Sequence, residues 1–62
     1  MKTQVVTFWK PEHRANQLPQ SSNQIVRHRG DHVRLLEKLN DLSTWTDDGR
    51  LLLGVRFVAE VM

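Results

Sequence analysis

Cysteine is absent from this chain, which excludes disulfides and thiolate metal sites. A chain without thiols also fits the reducing cytoplasm, where we expect this protein to work. Glycine is scarce and its three copies are isolated, so there is no glycine-rich phosphate loop and no nucleophile elbow. No apolar run approaches the roughly 20 residues of a membrane span. The segment Met1 to Trp9 is too short and too polar for a signal peptide. A soluble chain away from membranes is therefore expected.

The sequence has 62 residues, enough for one domain spanning 1–62. A chain of this size hides only about 60% of its unfolded surface on folding. Small domains usually lean on disulfides, a metal or a partner chain. With no cysteine, self-association is the support left open.

Net charge is +2, unevenly spread. Residues 1–34 carry Lys2, Lys10, Arg14, Arg27, Arg29 and Arg34 against Glu12 and Asp31, a balance of +4. Residues 35–62 carry Lys38, Arg50 and Arg56 against five carboxylates, a balance of −2. His13, His28 and His32 all lie in the basic half. Such asymmetry points to an anionic partner for one end, or to an ordinary solvated surface.

Residues 3–9 are rich in β-branched and aromatic types and read as a short strand, ended by Pro11. Residues 10–21 read as a loop with Leu18 tucked over the core edge. Ser21 and Gln24 have the spacing of a capping box, so a helical segment is expected to start there. Gly30-Asp31 either separates two helices or interrupts one. Over 32–42, Val33, Leu35, Leu36, Leu39 and Leu42 recur at helical spacing, with Arg34, Glu37, Lys38 and Asp41 opposite, which predicts the main helix. Thr46-Asp47-Asp48-Gly49-Arg50 is a hairpin turn. Beyond it Leu51, Leu53, Val55, Phe57, Ala59 and Val61 alternate on one face of a long strand, with Gly54 marking a bulge or bend. The expected architecture is α+β, a small antiparallel β–α–β–β sheet packed on one main helix.

One helix covers only one face of such a sheet. The other is expected to show Val6, Phe8, Leu52 and Val58, with Trp9 beside them, and an apolar patch of that kind usually marks an interface. This gives the first functional expectation, a small regulatory binding protein that forms a homodimer or captures a protein partner. The second is a nucleic-acid-binding regulator that grips DNA or RNA phosphates with Arg27, Arg29 and Arg34, joined by Arg14 and Lys10. No aromatic residue lies between 27 and 34, so the stacking recognition typical of single-stranded nucleic acid is not indicated.

Catalysis is not expected. Asp47 and Asp48 are adjacent, but as turn residues. His28 and His32 are four apart without the glutamate of a zinc-protease motif, and Gly30 lies between them, so no metal is expected. No cofactor and no small-molecule substrate is indicated.

Overall fold

The alternation of residues 51–61 is realised as a strand, and the rest of the chain is built around it. The computed structural model describes residues 2–62. Four strands, β1 (Thr3–Pro11), β2 (Ile25–His28), β3 (Asp31–Trp45) and β4 (Leu51–Val61), form one antiparallel sheet. Their order is β1-β4-β3-β2. The only helical piece among the described residues is a 3-10 segment, Glu12–Gln17, kinked at Arg14. Strand accounts for 64% of the described residues and no helix among them reaches seven residues, so the expected α+β fold with one main helix is replaced by an antiparallel β-sheet.

The main correction is at residues 32–42, which belong to β3. Val33 and Leu35 face the core, opposite Val61 and Ala59. The register then slips twice, leaving Leu36 and Leu39 without a partner in β4. Each slip is a β-bulge that shifts the phase of the alternation by one residue. A period of two with two such slips gives Val33, Leu35, Leu36, Leu39 and Leu42 a spacing that imitates a helical stripe. In the folded chain the five do not form one stripe: Val33 and Leu35 are sealed in the core, Leu42 lies on the other side of the sheet, and Leu39 is 44% exposed.

The second correction is at Gly30. Arg29 and Gly30 have φ of 53° and 87° and close the two-residue hairpin between His28 and Asp31. Positive φ at both central residues matches the right-handed twist of the flanking strands. The stretch expected to start a helix at Ser21 is a loop with Asn23 at φ 66°. Its backbone extends the β2–β3 ladder, since Asn23 N donates to Leu35 O and Leu35 N to Gln24 O at 2.9 Å. The turn at 46–50 forms as the sequence indicates. Gly49 takes φ 82°, Thr46 N donates to Arg50 O at 2.8 Å, and Arg50 pairs with Asp48 at 3.3 Å.

The core lies on the inner face of the sheet. Val6, Val33, Leu35, Val55, Phe57 and Ala59 are buried there together with Leu18. Ala15 and Leu18, carried by the connection after β1, cover this face, and Pro19 beside them is also buried. The molecule is extended along its strands, 39 × 20 × 16 Å. Its radius of gyration, 12.1 Å, exceeds the roughly 10.6 Å of a compact chain of this length.

Two candidate functional surfaces: an outer sheet face and a seam between the edge strands

The register assigns every residue of β1, β3 and β4 to a face. Directly opposite residues point the same way, so Val6 beside Phe57 and Phe8 beside Val55 belong to the inner face. Of the five residues expected at a protein interface, Val6 is therefore buried in the core and Phe8 packs against it. Trp9, Leu52 and Val58 stand on the outer face.

The outer face is organised in rows. Trp9, Gly54 and Leu42 stand abreast, and Pro11, Leu52 and Thr44 form the next row. Gly54 is the floor of the first row: a Cβ there would lie 2.6 Å from Trp9 Cε3 and 2.9 Å from Phe8 O. The indole rests on bare backbone and remains 42% exposed. Next comes a polar row of Thr7, Arg56 and Asn40, in which Arg56 Nε donates to Thr7 Oγ1 at 3.4 Å. Val5, Val58 and Glu37 follow. At the far end the Arg34 Nη2–Glu60 Oε1 pair, 2.9 Å, joins β3 to β4. At the Pro11–Leu52 end the face borders a cavity of ≈ 590 Å³ walled by Glu12 and His13 and by the 46–50 turn.

The second surface arises from curvature. β1 and β2 are the two outer strands of the sheet, yet the Phe8 and His28 rings meet edge to face with centroids 5.5 Å apart. The sheet has coiled until its edges confront one another across a seam, in the direction that the bulges of β3 promote. A cleft of ≈ 400 Å³ at one end of the seam is lined by Thr7, Trp9, His28, Arg29 and Asp31 among others. A second of ≈ 360 Å³ is lined by residues including Thr7, Phe8, Trp9, Lys10, Val26 and Arg27.

The four arginines expected to bind nucleic acid are thus dispersed. Arg27 and Arg29 line the seam, joined there by Lys10. Arg34 is committed to Glu60, with its Nε buried and unpartnered. Arg14 is exposed at the kink of the 3-10 segment. The aromatic neighbours of the basic segment come from β1, and no local signal in residues 27–34 reveals them.

His28 and His32 sit on opposite sides of the β2–β3 hairpin, opposite Asp31 and Arg27 respectively. Among the described residues no three His, Asp or Glu side chains gather as a metal site. No helix in them is long and apolar enough to cross a membrane. Against protein-family models, curated proteins and solved structures, the chain matches none.

Proposed function

We propose that this chain is a small, non-enzymatic binding module of the cytoplasm whose outer sheet face packs against that of a second copy. The observation that carries the reading is the pair of apolar rows Trp9–Gly54–Leu42 and Pro11–Leu52–Thr44. A sheet buries its apolar face against another layer, and the commonest layer for an antiparallel sheet is a second sheet packed about 10 Å away. The inner face has its cover in Ala15 and Leu18, whereas on the outer face the Trp9 indole stays 42% exposed.

A second copy suits the face chemically. Arg56 and Glu37 lie one row apart at its centre, so the face carries one charge of each sign there and two copies do not meet as like-charged surfaces. A stable interface takes about 800 Å² per partner, roughly a sixth of this chain's 4575 Å². The edge of β3 is a poorer route. Between 36 and 41 it carries two bulges together with Glu37, Lys38 and Asp41, devices that discourage edge-to-edge pairing.

Sedimentation equilibrium tests the reading. The expected result is a dimer that Leu42→Glu combined with Leu52→Glu converts to a folded monomer. A wild-type chain that stays monomeric at its highest soluble concentration overturns it.

A further inference from the structure

Apart from Trp9, the seam between β1 and β2 is made of residues that the outer-face reading does not use. Lys10, Arg27 and Arg29 line it, and none of them is in an ion pair among the described residues. Asp31 is the only carboxylate beside them. Interleaved with these cations are three planar rings, Phe8, Trp9 and His28. The two clefts share Thr7 and Trp9, so the seam forms one track with an exposed indole at its middle.

Alternating cations and rings match an alternating polymer of phosphates and flat bases. Base–aromatic stacking tolerates any sequence, because every base has a π-face. A duplex keeps those faces inside its own stack, so only a strand with unstacked bases can use the rings. The backbone at Arg29 adds an independent observation. Arg29 holds φ 53° at the first central position of the β2–β3 turn, where asparagine or glycine is relaxed. An arginine kept in a conformation that disfavours it is expected where its side chain is used.

We propose that the β1–β2 seam binds a single strand of nucleic acid, with Lys10, Arg27 and Arg29 on its phosphates and Trp9 and the Phe8–His28 pair against its bases. The site shares Trp9 with the first apolar row, at the β1 end of that row, and its other residues lie outside both rows.

Fluorescence anisotropy tests this with labelled single-stranded oligo-dT and oligo-U, a mixed-sequence DNA duplex of equal length, and an oligoglutamate as an acidic peptide. Intrinsic tryptophan emission is recorded alongside. The expected result is single-strand binding about tenfold tighter than duplex binding, with quenching of tryptophan emission. Arg27→Gln combined with Arg29→Asn should reduce the slope of log K against log salt by about 1.4, since each lost phosphate contact removes about 0.7. Arg50→Gln, the same charge change at the far turn, should leave it unaltered. Arg29→Asn alone should raise the melting temperature while weakening binding, an opposition that a purely structural arginine would not produce. No binding at low salt overturns the proposal. So does duplex binding equal to single-strand binding without quenching, which marks a plain counter-ion surface. Tighter binding of oligoglutamate than of either oligonucleotide overturns it in favour of an acidic peptide.

Discussion

On the inner face of β4, Val55, Phe57 and Ala59 are sealed from solvent. One residue away on its outer face, Leu52 and Val58 are only half-buried. Both faces are apolar enough to form a core. The difference comes from elsewhere in the chain: Ala15 and Leu18, on the connection after β1, lie over one face only. β3 then crosses from one face to the other. Its apolar residues Val33 and Leu35 point inward, whereas farther along Lys38, Asp41 and Ser43 take the inward positions and Leu42 points outward. A small sheet can thus place its own core at one end of one face and leave an adhesive patch at the other end of the opposite face.

Three substitutions probe that contrast, and the largest effect belongs to the inner face. Phe57→Ala empties the centre of the core and should cost about 3–5 kcal/mol, enough to unfold a marginal domain at room temperature. Loss of the far-ultraviolet β-sheet signal would show it, and a cooperative melt close to wild type would mean that the inner face is not the core. Gly54→Val tests the boundary between the faces. Its side chain would collide with the Trp9 ring and with Phe8 O, which cannot yield without moving β1. The expected cost is about 1–3 kcal/mol, with a red-shifted tryptophan emission. Leu52→Glu should have the least effect on a single chain, within about 0.5 kcal/mol by urea titration at low concentration. A large loss of stability there would show that the outer face is not free in the monomer.

The parts legible in the sequence are those where one local rule acts alone. The turn at 46–50 and the alternation of β4 follow from aspartate and glycine chemistry and from a strict period of two. The alternation of β1 follows in the same way, but not which of its faces is the core: the pattern leaves Val6 and Phe8 on the exposed face, whereas they lie inside. β3 was illegible because its two bulges compound the period of two with phase shifts, and pattern reasoning sees the sum. The β2–β3 hairpin was hidden because arginine occupies a position where the usual signal is asparagine or glycine. For the candidate sites, the cations at 27 and 29 were visible in the sequence. Their aromatic company was not, since Phe8 and Trp9 reach them only through the coiling of the whole sheet.

The bulges also have a consequence for chain length. Leu36 and Leu39 lie opposite nothing in β4, so every other residue of the paired stretch keeps its partner whether or not they are present. Deleting either one should shorten β3 without changing which residues confront each other. Deleting Asp41, which does have a partner in Val55, would turn every later side chain of the strand to the wrong face. β3 thus contains two places where insertion and deletion are nearly silent for pairing. They are not silent for shape, because the residues that can be lost are the ones that bend the sheet until its two edges meet.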